Sequence, residues 1–123
     1  MQYAILCYHD EKVTCAWSKE QDDAVMAKLG AVMEKYAKAG KLGPVARLLP
    51  TTAATTLRKD REPALIIDGP FAETKEQLLG FYIVDCADLE EALEFARELG
   101  AVNPGGAYEI RPVGVFFPGA AES

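Results

Sequence analysis

An α+β domain with the element order β-α-β-β-β-α-β is what the 123 residues predict, and three features predict it. Two stretches carry apolar residues at helical spacing behind a capping residue. The remaining apolar runs have strand length and β-branched or aromatic character. Several of those runs are separated by turn residues rather than by helices, which argues against a doubly wound sheet.

Residues 2–9, Gln2-Tyr3-Ala4-Ile5-Leu6-Cys7-Tyr8-His9, read as the first strand, and the polar run Asp10-Glu11-Lys12 leaves it. Ser18 opens a long helix, with Gln21 three residues on to complete a capping box. Val25, Leu29, Val32 or Met33, and Tyr36 form its apolar stripe, and Gly40 supplies the left-handed stop. Trp17, just before the cap, packs the helix entry as a hydrophobic staple. Residues 42–49 follow, with Gly43-Pro44 marking a bend. A strand is expected around 55–59, and the charged stretch 59–62 is a turn. Ala64-Leu65-Ile66-Ile67 is a strand bounded by Asp68-Gly69-Pro70, and the polar segment 73–77 leads into the strand Phe81-Tyr82-Ile83-Val84.

Asp88 caps the second helix, with Glu91 in the capping-box position. Leu89, Ala92, Leu93, Ala96 and Leu99 are its stripe, and Gly100 ends it. Residues 103–106 are loop and 108–113 the last strand. The whole reads as a ferredoxin-like α+β unit, residues 1–117 forming one domain and 118–123 a frayed tail.

The net charge is -6, from 19 acidic against 13 basic residues. Basic residues such as Arg58, Lys59 and Arg61 are interleaved with acids, so the basic stripe that a nucleic-acid binder needs is missing. No apolar run approaches the roughly 20 residues that span a bilayer. Met1 leads directly into the first strand without a basic n-region, so a soluble, cytoplasmic protein is expected. Cys7, Cys15 and Cys86 are an odd set without metal-type or CxxC spacing. Cys7 and Cys86 read as small core residues; Cys15, in a loop, is the one candidate for a reactive thiol, and no function is built on it. One His and no carboxylate triad at ligand spacing argue against a metal, and Gly105-Gly106 alone is too weak for a phosphate loop.

The strands carry a further implication. Two helices cover one face of a four- or five-stranded sheet, and the other face should then alternate to polar residues. It does not: Leu65, Ile66 and Ile67 are consecutive, as are Phe81, Tyr82, Ile83 and Val84, and the first strand is apolar on both sides. Leaving such side chains wet forgoes roughly 1.5–3 kcal/mol each. A second copy packed sheet to sheet covers them, giving a homodimer; the other cover is a fold-over of loops such as 41–57.

The stretch Asp68-Gly69-Pro70-Phe71-Ala72-Glu73-Thr74-Lys75-Glu76-Gln77-Leu78, with Gly80-Phe81-Tyr82 after it, resembles the signature of the DGPF-domain branch of the YCII-related family. Leu57-Arg58 before it, Leu89-Glu90-Glu91-Ala92 with Ala96, and Glu109-Ile110-Arg111-Pro112-Val113 also fall where the family has similar residues, so the resemblance covers nearly the whole chain. It implies a dimeric α+β barrel of two ferredoxin-like units. It also implies one of two roles: a small lyase- or dehydrohalogenase-type enzyme working through a His–Asp pair, or a protein encoded beside an alternative sigma factor. The relatives carry that His early in the first helix, whereas residues 19–39 here hold none and the only His is His9.

Candidate chemistry follows from the residues. Asp68 reads either as an Asx-type turn with Gly69-Pro70 or as a strand-end carboxylate acting as general base. His9, the one imidazole, reads either as a strand-end residue near solvent or as Asp68's partner in a re-formed dyad. Glu73, Lys75 and Glu76 form either a solvated charged face or a carboxylate and ammonium set held toward a pocket. There Glu73 would serve the chemistry, Lys75 would stabilise an anionic substrate or enolate, and Glu76 would be a further substrate-binding residue. Arg111, alternating with Glu109, is either a structural ion pair or a clamp for a substrate carboxylate. The expected function is therefore a cofactor-independent acid–base enzyme of lyase or isomerase type on a small organic, anionic molecule. The alternative is a non-catalytic ligand- or protein-binding accessory of a sigma-factor system.

Overall fold

The computed structural model describes residues 1–119. Six strands and three helices follow one another as β1 (Gln2–His9), α1 (Glu11–Thr14), α2 (Lys19–Lys38), β2 (Leu42–Arg47), β3 (Thr55–Arg58), β4 (Leu65–Asp68), β5 (Gln77–Asp85), α3 (Leu89–Val102) and β6 (Ala107–Pro112), with a 3-10 turn at Thr51–Ala53 between β2 and β3. Of the expected tail, residues 120–123 lie outside the described residues.

Local chemistry sets the helix ends. Ser18 accepts from the Gln21 amide at 3.0 Å while the Gln21 side chain accepts from the Ser18 amide at 2.9 Å, a reciprocal capping box. Gly40, at φ 74, makes the left-handed exit from α2. Asp88 caps α3 through the Glu91 amide at 2.9 Å. Glu91 reaches past the capping-box position to the Ala87 amide at 2.8 Å, because its other oxygen is taken by Lys41.

The main sheet is antiparallel with strand order β2-β5-β1-β6, an arrangement compatible with a ferredoxin-like fold. Two expectations need correction. Residues 42–49 contain a strand rather than a bend only: β2 pairs with β5, and Gly43-Pro44 forms an irregularity between Leu42 and Val45. Proline is tolerated there because β2 is the sheet edge, where one side of the strand needs no donors. The run Leu65-Ile66-Ile67 does not join the main sheet. It pairs with β3 as a separate two-stranded hairpin whose residues are exposed, Ile66 at 70% and Leu57 at 58%. The apolar run therefore marks a strand but not membership of the core.

The core lies between the sheet and the two long helices. Tyr3, Ile5, Tyr82 and Val84 point from the sheet toward Leu29 and Tyr36 of α2 and Ala92, Phe95, Ala96 and Leu99 of α3. Phe95 is fully buried and stacks flat on Tyr36, with ring centroids 3.7 Å apart. The Tyr36 phenol donates to Glu98, which Lys35 holds from the other side at 2.7 Å. On the opposite face of the sheet, Ala4, Leu6, Phe81 and Ile83 are only half-buried.

Candidate functional site

α2 fully buries only Leu29 and Tyr36. Its first half stands away from the sheet, and the space between is a cavity of about 450 Å³. The cavity lies where β1 and β2 finish and β5 begins. Val25, Leu29 and Met33 of α2 face Cys7, Val45 and Tyr82 of the sheet across it. These walls are apolar because the same residues form the amphipathic stripe of α2 and the inward positions of the strands.

Polar groups stand around this interior, and each acidic or basic one is engaged by the protein itself. His9, at the end of β1, accepts the Asp10 amide on Nδ1 at 2.8 Å. That leaves the proton on Nε2, 3.0 Å from the Pro104 carbonyl oxygen, to which it donates. The His9 ring also meets Trp17 edge-on at 6.2 Å. Glu11, the first residue of α1, accepts from the Thr51 amide at 2.7 Å and the Thr51 hydroxyl at 2.5 Å, and its own amide donates to the Gln77 side chain at 3.0 Å. Asp22 of α2 receives both guanidinium nitrogens of Arg47 from β2, at 3.2 and 3.0 Å.

Gly105 and Gly106 give the His9 ring its place. Both have positive φ, 78° and 76°. A Cβ on Gly105 would stand 2.6 Å from His9 Nε2, and one on Gly106 would stand 2.4 Å from the Tyr8 carbonyl oxygen. The pair serves close packing against β1.

Burial dominates the titration of the inner wall. It pushes the Cys7 thiol up to about 12, so Cys7 is protonated and unreactive at neutral pH. It also pushes up the Tyr82 phenol, with the nearby Cys7 and Tyr108 adding to the effect. Tyr108 is raised by burial too, against the opposing hydrogen bond from Asn103. Among the described residues, no group of three or more His, Cys, Asp or Glu could hold a metal ion.

Of the candidate acid–base and substrate-binding residues read from the sequence, His9 alone lines the cavity among the described residues; Cys15, the candidate thiol, also stands on its wall. Asp68 ends β4 on the exposed hairpin, and the neighbouring backbone is held by Gly69 N–H to Ala54 O at 2.8 Å and by the Thr56 hydroxyl to Gly69 O at 2.8 Å. His9 and Asp68 share no hydrogen bond or ion pair among the described residues, since both ring nitrogens of His9 face other groups. Glu73, Lys75 and Glu76 are exposed in the segment before β5 and do not line the cavity. Arg111 donates to Glu109 from Nε at 3.0 Å, and the pair is exposed on β6. Arg111 stands opposite Ala4 on the sheet face away from the helices.

Glu11, Asp22, Arg47 and Tyr82 are wall residues that sequence reasoning missed. Asp22 and Arg47 are 25 positions apart and Glu11 and Thr51 are 40 apart, and no local pattern couples residues at such distances. Tyr82 carries a signal only in retrospect: a side chain with a polar tip inside the apolar run Phe81-Tyr82-Ile83-Val84.

An uncharacterized protein of Rhizobium meliloti (strain 1021) is 62% identical over 124 residues, covering 100% of both chains. The family model of the YCII-related domain matches residues 1–116. With nearly the full length matched, the chain belongs to the YCII-related family.

Proposed function

We propose that the protein is a homodimeric small-molecule-binding member of its family, with the ligand seated in the cavity between α2 and the sheet. The observation that carries this reading is a roomy apolar interior whose charged neighbours are already paired. A volume of about 450 Å³ falls within the range of about 300–1,000 Å³ common for ligand sites. Acid–base turnover needs a group free to exchange a proton with the ligand, whereas His9, Glu11 and Asp22 each serve a protein partner. Binding is favoured over turnover on this ground. The accessory role beside an alternative sigma factor is of this kind and rests on the DGPF resemblance alone.

The homodimer is supported by the half-buried outer face, Ala4, Leu6, Phe81 and Ile83, and by the exposed apolar hairpin of β3 and β4. A second sheet laid on that face forms the dimeric α+β barrel and buries those side chains.

An acid–base enzyme of lyase or isomerase type is the second reading, favoured by the presence of His9 on the cavity wall. In it His9 exchanges the Pro104 carbonyl for substrate. Asp68, Glu73, Lys75 and Glu76 then act only when a second copy carries them to the cavity, and Arg111 acts from the interface face.

N-phenyl-1-naphthylamine, a neutral apolar dye whose emission rises on transfer from water, tests the cavity. Saturable binding at one site per chain is expected, and Val25→Trp, which fills the cavity, abolishes it. Absence of saturable binding, or binding indifferent to Val25→Trp, sinks the reading. Sedimentation at micromolar concentration tests the assembly: a dimer is expected, and Ile83→Glu dissociates it. A stable wild-type monomer rules the barrel out.

A further inference from the structure

Four tyrosines, Tyr3, Tyr36, Tyr82 and Tyr108, lie on the helix-facing side of the sheet and core and differ in how their phenols are satisfied. Tyr36 donates to Glu98. Tyr108 accepts from Asn103 Nδ2 at 3.1 Å. Tyr82 has no hydrogen-bond partner among the described residues although it is only 7% exposed, and it lines the cavity. Tyr3 is equally buried and unpaired, but it is not part of the cavity wall. Buried polar atoms without a partner are uncommon in folded proteins because their lost hydration is not replaced. For Tyr82, the cavity is the side from which a partner can arrive.

The surroundings narrow what that partner is. Beside Tyr82 stand Val45, its cross-strand partner on β2, and Cys7, neither of which offers a strong hydrogen bond. Arg47 is the one Lys or Arg side chain on the wall, and Asp22 holds it with two hydrogen bonds. An anion entering the cavity finds no uncommitted positive charge to replace its hydration, and the carboxylates of Glu11 and Asp22 stand on the same wall. Burial keeps the Tyr82 phenol protonated, so it acts as a donor.

We infer that Tyr82 is the hydrogen-bonding anchor of the cavity and that the ligand is a neutral, mainly apolar compound whose carbonyl oxygen accepts from the Tyr82 phenol. This rests on the cavity being the ligand site, and it replaces the anionic substrate expected from the charged signature segment with an uncharged one.

Three nearly isosteric probes test the assignment by calorimetric titration of the full chain: 2-acetylnaphthalene, 2-isopropylnaphthalene and 2-naphthoate. The ketone binds about fivefold more tightly than the hydrocarbon, as one net hydrogen bond provides, and the carboxylate binds most weakly. Tyr82→Phe removes the preference for the ketone and leaves the hydrocarbon's affinity unchanged. Removing an unpaired hydroxyl also leaves Tm unchanged or raised. Hydrocarbon binding with no preference for the ketone overturns the anchor while the ligand cavity stands. A preference that survives Tyr82→Phe, or tightest binding by the carboxylate, likewise overturns it. A lowered Tm in Tyr82→Phe shows that the phenol already has a protein partner and overturns it too. Binding of none of the three by the wild-type chain overturns the cavity reading and the anchor together. Where the variant fails to fold, a wild-type chain that shows no preference for the ketone, or that binds the carboxylate most tightly, still overturns the anchor.

Discussion

The Arg47 guanidinium grips the Asp22 carboxylate through two hydrogen bonds, 3.2 and 3.0 Å long, tying the edge strand β2 to the start of α2 on the cavity wall. The pair cancels the one Lys or Arg charge on that wall. Its partners are substantially exposed, so its contribution to stability is small, under about 1 kcal/mol. In the ligand cavity proposed above, its effect is on selectivity.

Asp22→Asn leaves Arg47 uncompensated. The affinity for 2-naphthoate is expected to rise about fivefold and to weaken again as salt is added, while 2-acetylnaphthalene changes by less than about twofold. Calorimetric titration at low and high ionic strength measures both. Unchanged affinity for the carboxylate places Arg47 out of reach of the bound ligand.

Acid stability follows from Glu91 and Glu98. The hydrogen bond from Lys41, and then that from the Ala87 amide, hold Glu91 below its ordinary value of 4.5; Lys35, and then Tyr36, do the same for Glu98. A carboxyl group whose folded value is depressed stabilises the fold above its unfolded value, and that stabilisation is lost as pH falls through the folded value. Seen from its partner, Lys41 is raised above 10.5 by the Glu91 hydrogen bond, so its share is complete below 10.5 and is lost as pH rises through the raised value. Urea denaturation across pH should show a plateau that falls below about pH 4.5. Glu91→Gln and Glu98→Gln make that acid limb shallower. An acid limb identical to wild type in both variants contradicts the assignment.

Gly105→Ala puts a Cβ into the His9 ring at a backbone angle, φ 78°, that side chains rarely adopt. A loss of about 1–2 kcal/mol is expected by chemical denaturation. The imidazole resonances of His9 should shift because the ring must leave the Pro104 carbonyl. Gly114→Ala meets no atom within 4 Å and serves as the control. Equal stability of the two variants contradicts the packing described for the glycine loop.

The three thiols differ in access. Cys15 is exposed and lines the cavity, Cys7 is half-buried with its thiol pushed up to about 12, and Cys86 is buried. Near pH 8 a disulfide reagent should label one thiol quickly in the folded protein and all three after denaturation. Cys15→Ser removes the fast phase, and occupancy of the cavity slows it. Fast labelling of Cys7 contradicts the burial described here.

Much of the architecture was legible along the chain because its causes are local. The Ser18–Gln21 box, the Gly40 exit and the Asp88 cap involve residues within a few positions, and the α2 stripe needs only helical periodicity. The two-sided apolar character of β1 and β5 was equally visible, and one face of that sheet is indeed the core. By itself the sequence determined the two long helices, most of the strands, the α+β class and the family, since each depends on neighbours in the chain or on composition; the short helix α1 was read only as a polar run. Tertiary structure alone decided that Pro44 sits in an edge strand, that Ile66 belongs to a separate hairpin, and that His9 turns to Pro104, 95 positions away, instead of Asp68. It also decided which of the unpaired tyrosines lines the cavity. Strand order and long-range pairing set these outcomes, and they follow from how the whole chain closes on its core rather than from any window of residues.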